Sequence, residues 1–159
     1  MMIPAGPRTA LSQASLREIV REMAAQRASW RPLVRYDPAR RWYQLLEQRD
    51  DHEIWLLSWL PGQYTGFHDH GRSAGAYTVA EGCLAERGAR RGRPWRRSRY
   101  VAAGAARSFG PWYIHEVRNS SAVPAVSVHA HSPPLTGMQR FDLVAGRLVA
   151  GAAETGAQW

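Results

Sequence analysis

The sequence contains a single cysteine, no lysine and no long apolar run. One cysteine, Cys83, cannot form an intrachain disulfide or supply a cysteine-based zinc site. Any bound metal must therefore be held by histidine or carboxylate. No segment approaches the roughly 18 to 20 apolar residues of a membrane span, and the N-terminus lacks the apolar stretch of a secretory signal. We therefore expect a cytoplasmic protein without a membrane partner.

Because lysine is missing, all 21 basic residues are arginine, and the formal net charge is +8. Such an excess is compatible with nucleic-acid binding, since clustered arginine neutralises phosphates. The densest run, at 87–99, holds seven arginines and no acid, but Gly92 and Pro94 interrupt it. Runs of like charge are usually solvated. We therefore predict an exposed hairpin loop there and treat a nucleic-acid partner as the less favoured alternative.

A chain of 159 residues fits one domain. Residues 15–26 have apolar side chains at helical spacing, and Ser15 with Glu18 forms a capping-box pattern, which predicts an amphipathic helix. Short β-rich runs separated by turn residues follow from about residue 41 onwards. They lie at 41–47, 53–60, 76–80, around Val117, at 123–130 and at 138–144.

This pattern predicts an all-β, mainly antiparallel fold: a closed β-barrel or jelly roll with a short N-terminal helical segment. We expect an N-terminal helical segment at 1–37, a barrel domain at 38–150 and a flexible tail at 151–159.

Five of the six histidines lie in three groups: His68 with His70, His115 alone, and His129 with His131. Residues two apart on a strand face the same way, so His68 and His70 can chelate one metal ion together. His115 follows an apolar run and could supply a third imidazole. Three histidines would leave positions open for a reaction. Taken alone, a His-x-His pair is a weak signal, and surface or core histidines are the alternative.

The sequence around the histidines strengthens the interpretation that they bind a metal ion. Residues 61–71 (PGQYTGFHDHG) resemble the first cupin motif, and 110–119 around His115 resemble the second. Ordinary cupins add an acidic ligand shortly after the histidine pair, but 71–80 (GRSAGAYTVA) contains no acid. Three neutral imidazoles leave the full charge on a dication. Such a centre favours an anionic thiolate and keeps positions for substrate and O2.

Over residues 38–144 the chain resembles the bacterial cysteine dioxygenases of type I. The resemblance rests on three sequence segments, at 59–71, 110–119 and 127–135. The resemblance implies Fe(II) held by His68, His70 and His115, and oxidation of cysteine by O2 to cysteine sulfinate. It also implies an arginine that grips the substrate carboxylate, which falls at Arg41, with Arg40 as the alternative. A guanidinium suits this task because it can pair bidentately with a carboxylate.

The family also has an inward Ser-His-Tyr series near its iron. Ser127 and His129 match the first two members, which implies catalytic roles for them, but His131 stands where the family has tyrosine. An imidazole titrates near neutrality, whereas a phenol titrates near a pKa of about 10. Gly75 occupies the position of the crosslinking cysteine of mammalian members, so the thioether crosslink cannot form. Whether His131 contacts the metal is left open by the sequence.

Two other functions remain open at this stage. A three-histidine iron cupin could oxidise another thiol, such as 3-mercaptopropionate or cysteamine, or a biosynthetic intermediate. A cupin that binds metal or nucleic acid without turnover is the least favoured possibility. The sequence does not distinguish a monomer from a dimer.

Overall fold

The computed structural model describes residues 9–90 and 92–156. Two short helices, α1 (Gln13–Ala25) and α2 (Arg27–Trp30), are followed by a 3-10 turn at Arg31–Leu33. In the described residues, no helix is both long enough and apolar enough to span a bilayer. The strands are β1 (Trp42–Gln48), β2 (Glu53–Trp59), β3 (Phe67–His68), β4 (Ala74–Glu81), β5 (Cys83–Arg90), β6 (Arg93–Pro94), β7 (Arg99–Ala102), β8 (Ala106–Phe109), β9 (His115–Arg118), β10 (Ala125–Ser132), β11 (Gly137–Val144) and β12 (Arg147–Thr155).

The strands form two antiparallel sheets, as predicted for a jelly roll. One sheet has the order β1-β2-β10-β4-β8. The other has the order β12-β11-β3-β9-β5-β6, with β7 also paired to β5. Most strands that pair within a sheet are distant in sequence. Side chains from distant parts of the chain are therefore brought together in the space between the sheets. The predicted all-β, mainly antiparallel class is confirmed.

Helix α1 covers the outer face of the five-stranded sheet by packing against β4, β8 and β10. Its buried side chains are Leu16 and Val20. The predicted capping box at Ser15 is wrong, because the helix begins earlier: the Ser12 side chain accepts from the Ser15 backbone N–H at 3.1 Å. The helix therefore starts at Gln13 and ends at Ala25.

Strand β10 is buried along its whole length because both of its faces are covered. Val126, Val128 and Ala130 belong to the hydrophobic cluster under α1. Their alternate neighbours therefore face the space between the two sheets. These neighbours include Ser127, His129 and His131, so burial of one face by the helix directs the polar face inward.

The C-terminal segment differs from the predicted flexible tail. Strand β12 continues to Thr155 and pairs with β11 from Gly137 to Val144. Arg140 of β11 donates to the Glu154 carboxylate at 3.0 Å. The sequence shows no alternating apolar pattern for this strand, because most of its side chains are exposed and many are alanine or glycine. Residues 157–159 lie outside the described residues.

The arginine-rich stretch matches the predicted exposed hairpin at its tip. Arg96, Arg97 and Arg99 are exposed, and the chain turns back through β6 onto β5. Trp95 is half-buried, with its ring centroid 6.4 Å from that of Tyr113. The indole of Trp95 therefore packs against Tyr113, which lies two residues before His115 in the chain. Arg91 of this stretch lies outside the described residues.

Candidate metal centre

Three histidines converge between the sheets. His68 ends β3 and lies directly opposite His115, the first residue of β9, while His70 follows two residues after His68. The ring centroid of His68 lies 4.8 Å from those of His70 and of His115. One nitrogen from each ring can be chosen so that all three lie within 4.8 Å of one another. All three side chains are buried.

The hydrogen bonds of two of these rings fix which nitrogen faces the cluster. His68 Nδ1 lies 2.9 Å from the Gly66 carbonyl, which can only accept, so Nδ1 carries the hydrogen. His68 Nε2 is buried and has no hydrogen-bond partner among the described residues. His115 Nδ1 lies 3.0 Å from Glu86 Oε1. In both rings Nε2 is therefore the nitrogen available to a metal ion.

The protonation state of the site suits metal binding. Burial lowers the pKa of His68 and of His70 well below the usual range, and neighbouring imidazoles lower both further. Neutral imidazole is the form that coordinates a metal. Three converging imidazoles, one with an orphaned buried nitrogen, fit a divalent transition metal such as Fe(II), Zn(II), Ni(II) or Cu(II).

Glu86 is a residue of the site that the sequence interpretation missed. It is fully buried on β5, where its carboxylate accepts from His115 and, at 2.9 Å, from Arg107 Nε. The Tyr113 hydroxyl donates to the same carboxylate at 3.3 Å. Burial alone would raise the pKa of Glu86, but the bonds from His115 and Arg107 outweigh it and hold the pKa at about 2. The available signal was the two-residue spacing of Leu84 and Glu86, which places the acid on the same strand face as an apolar side chain.

The inward face of β10 carries a hydrogen-bonded pair next to the cluster. Trp59 Nε1–H donates to Ser127 Oγ at 2.9 Å, and Ser127 Oγ lies 2.8 Å from His129 Nε2. Because the indole can only donate, the Ser127 hydroxyl is set to donate to His129. Burial lowers the pKa of His129 well below the usual range. Its ring stacks on Tyr77 at a centroid distance of 5.1 Å.

His131 is fully buried beside the cluster, with its ring 4.6 Å from that of His70. It lies opposite Gly75 on the paired strand β4. A Cβ atom at Gly75 would be 3.0 Å from His131 Cδ2 and only 2.4 Å from the Phe109 ring. Burial lowers the pKa of His131 to about 3. The His131 imidazole therefore stays neutral at neutral pH, because ionisation would place a charge in a buried site.

The two candidate arginines have different surroundings. Arg41 precedes β1, its guanidinium carbon lies 5.3 Å from the Trp59 ring centroid, and its Nη1 is buried without a hydrogen-bond partner among the described residues. Burial and the nearby Arg140 lower the pKa of Arg41 to about 10, so it stays charged at neutral pH. The Arg40 side chain is 84% exposed and pairs with Asp37 at 3.5 Å. Of the two, Arg41 is the one whose charge adds to burial in lowering the pKa of His68 and of His129.

Two antiparallel sheets that enclose a three-histidine cluster define a metal-binding cupin. The model of the family Cysteine dioxygenase type I matches residues 8–144. The chain belongs to this family and is a cupin of the thiol dioxygenase kind. The predicted family is confirmed.

Solved structures share the fold. The TT1209 protein of Thermus thermophilus is 28% identical, with a TM-score of 0.57, over 65% of this chain and 92% of that one. A Klebsiella pneumoniae protein with a double-stranded β-helix domain is 14% identical, with a TM-score of 0.56, over 92% and 99% of the two chains. A cupin superfamily protein of Desulfitobacterium hafniense is 12% identical, with a TM-score of 0.55, over 65% and 87%.

Proposed function

We propose that this protein is an iron-dependent thiol dioxygenase that oxidises cysteine with O2 to cysteine sulfinate. The observation that carries the proposal is the charged Arg41 guanidinium, which has a buried nitrogen and whose charge adds to burial in lowering the pKa of His68, one of the three converging imidazoles. The imidazoles suit Fe(II), and the guanidinium suits a substrate carboxylate. Cysteine and O2 give the sulfinic acid without a further reductant, since both oxygen atoms end on sulfur.

In this proposal His68, His70 and His115 hold the metal. Fe(II), when bound, would supply the thiolate coordination and the O2 activation that this oxidation requires. Arg41 binds the cysteine carboxylate and so fixes the orientation of the thiol relative to the cluster. Arg41 also lines a surface groove of about 370 Å³ together with Arg40, Gln63 and Tyr64, so it borders solvent on that side.

Ser127 and His129 act by holding one neutral hydrogen-bond donor in place. With Trp59 donating to Ser127 and Ser127 donating to His129 Nε2, the hydrogen of the imidazole lies on Nδ1. Stacking on Tyr77 fixes the plane of the ring. We propose that this fixed donor orients the groups that react above the metal.

The test is O2 consumption by the iron-loaded protein with a panel of cysteine, cysteamine and 3-mercaptopropionate. We expect cysteine to be preferred and its product to gain two oxygen atoms by mass spectrometry. Fe-loaded protein that consumes no O2 with any thiol would overturn the proposed activity. Preference for 3-mercaptopropionate would retain the reaction and overturn the substrate.

One observation favours another thiol as a second candidate. His131, Phe109 and Gly75 fill the region where the family has a tyrosine and, in mammalian members, a cysteine. We propose that His131 lies next to the metal ligands as a neutral imidazole, and the variant His131→Tyr tests this role. If His131→Tyr creates cysteine turnover where the parent has little, the native pocket serves a different thiol.

A further inference from the structure

Ordinary cupins place a carboxylate on the metal. Here the corresponding carboxylate contacts a histidine of the cluster instead. Residues 71–80 supply no acid, but Glu86 reaches the site from β5 and contacts His115. We propose that Glu86 is a positioning residue that fixes His115 with its hydrogen on Nδ1 and strengthens its Nε2 as a metal ligand. The inference rests on the proposed metal-binding role of His115.

Geometry sets the tautomer. A carboxylate is acceptor-only, so the 3.0 Å contact with Glu86 Oε1 requires the hydrogen of the neutral ring on His115 Nδ1. Nε2 then carries the lone pair and belongs to the cluster with His68 and His70. A hydrogen bond from a ligand histidine to a carboxylate orients the ring and increases its basicity.

Two donors besides His115 hold the carboxylate in position. Arg107 Nε donates to Oε2 at 2.9 Å from β8, and the Tyr113 hydroxyl donates to Oε1 at 3.3 Å. Gly88, directly opposite His115, makes room for this tyrosine, because a Cβ atom there would be 2.5 Å from the Tyr113 hydroxyl oxygen. A fully buried carboxylate with these partners has little freedom to rotate away from His115.

The placement also has an electrostatic consequence. A carboxylate on the metal would occupy a coordination position and compete with an anionic substrate. Bonded to His115 instead, with its charge paired to Arg107, Glu86 acts on the metal site through the imidazole and leaves that position open. The site therefore combines three imidazole ligands with a carboxylate that is hydrogen-bonded to one of them.

The first experiment measures metal affinity. Co(II) and Zn(II) dissociation constants are determined by chelator competition for the parent, Glu86→Gln, Glu86→Asp and Glu116→Gln. Glu116 is the matched control, since it neighbours His115 on β9 but pairs with Arg118 at 3.7 Å. We expect roughly 10- to 100-fold weaker binding for Glu86→Gln, partial recovery for Glu86→Asp and no more than about a twofold change for Glu116→Gln. Circular dichroism of the metal-free variants monitors the fold.

Parent-like affinity in a folded Glu86→Gln variant would overturn the inference. If Glu86→Gln does not fold, the parent protein decides: nitrogen-15 histidine NMR of the Zn(II)-loaded protein should show His115 protonated at Nδ1. A hydrogen on Nε2 would overturn the inference. Neither measurement depends on thiol oxidation, so a failure of the proposed dioxygenase activity leaves the result interpretable. A parent that binds neither Co(II) nor Zn(II) would instead refute the metal site.

Discussion

Arg41 is the residue on which the proposed substrate depends. For Arg41→Ala, we expect KM for cysteine to rise about 10- to 100-fold, because hydrogen bonds to a charged partner contribute about 1.5 to 3 kcal/mol. KM for cysteamine, which has no carboxylate, should change little. Steady-state O2 uptake with both thiols measures the difference.

The adjacent arginine provides the control for this experiment. Arg40 is exposed and paired with Asp37, so Arg40→Ala should leave both KM values close to those of the parent. Equal losses with cysteine and cysteamine in Arg41→Ala would show that Arg41 does not bind the carboxylate. If instead Arg40→Ala raised KM for cysteine alone, Arg40 would be the residue that binds the substrate carboxylate.

At the scale of strands, Gly75 of β4 and Phe109 of β8 form a tight contact. A methyl group at Gly75 would be 2.4 Å from the Phe109 ring, so we expect Gly75→Ala to lower the free energy of unfolding by about 1 to 3 kcal/mol. Chemical denaturation measures the change. Combining Gly75→Ala with Phe109→Leu should cost less than the sum of the single changes.

Gly110 offers a matched substitution for this pair. A Cβ atom there would be 3.4 Å from the end of the flexible Gln13 side chain. Gly110→Ala should therefore be much milder than Gly75→Ala. Equal effects of the two substitutions would contradict the packing explanation, as would full additivity of Gly75→Ala with Phe109→Leu.

The buried Glu53 of β2 should make stability depend on pH. Burial raises the pKa of its carboxyl, although bonds from the Trp55 side chain and the Leu135 N–H lower it in part. The folded state therefore holds this proton more tightly than the unfolded state, and the ionised form destabilises the fold at neutral pH. We expect Glu53→Gln to raise the free energy of unfolding at pH 7. The gain should shrink as pH falls towards the unfolded pKa of about 4.3.

Glu47 on the neighbouring strand β1 should give the opposite sign. The hydrogen bond from Arg49 lowers the pKa of Glu47, so its carboxylate stabilises the fold above the unfolded pKa and this stabilisation is lost as pH falls. Glu47→Gln should therefore lower stability at pH 7. Urea denaturation at pH 7 and pH 5 separates the two cases. A Glu53→Gln variant less stable than the parent at pH 7 would contradict the burial argument.

At the scale of the whole molecule, the metal should act as a folding ligand. The three histidines come from β3, the following loop and β9, so their convergence exists only in the folded chain. Free metal at 100 times its Kd should stabilise the protein by about 2.7 kcal/mol. This corresponds to a rise in Tm of roughly 5 to 10 °C for a chain of this size.

Anaerobic thermal scans with and without Fe(II) measure this shift. His68→Ala, His70→Ala and His115→Ala should each abolish it, because two imidazoles hold Fe(II) weakly. His52→Ala should keep it, since His52 lies in a turn and bonds to Asp51 at 2.8 Å. An undiminished shift in one of the three cluster variants would remove that residue from the ligand set.

The sequence by itself determined much of this protein. Alternating short apolar runs predicted the antiparallel fold, because strand periodicity is a local property. The His68–His70 pair and the phrase around His115 predicted the cluster, and the run from Ser127 to His131 predicted one inward strand face. The missing acid at 71–80 indicated three histidines without a carboxylate ligand.

Only the tertiary structure decided the remaining contacts, because they depend on strand pairings between distant segments. Glu86 reaches His115 across 29 positions of the chain through the pairing of β5 with β9. Burial of His131 between the sheets depressed its pKa, which residue type alone could not predict. The contact of Arg41 with the Trp59 ring distinguishes Arg41 from Arg40 as the inward-facing arginine. The sequence could not make this choice, because a shift of one residue in strand register would turn the other arginine inward.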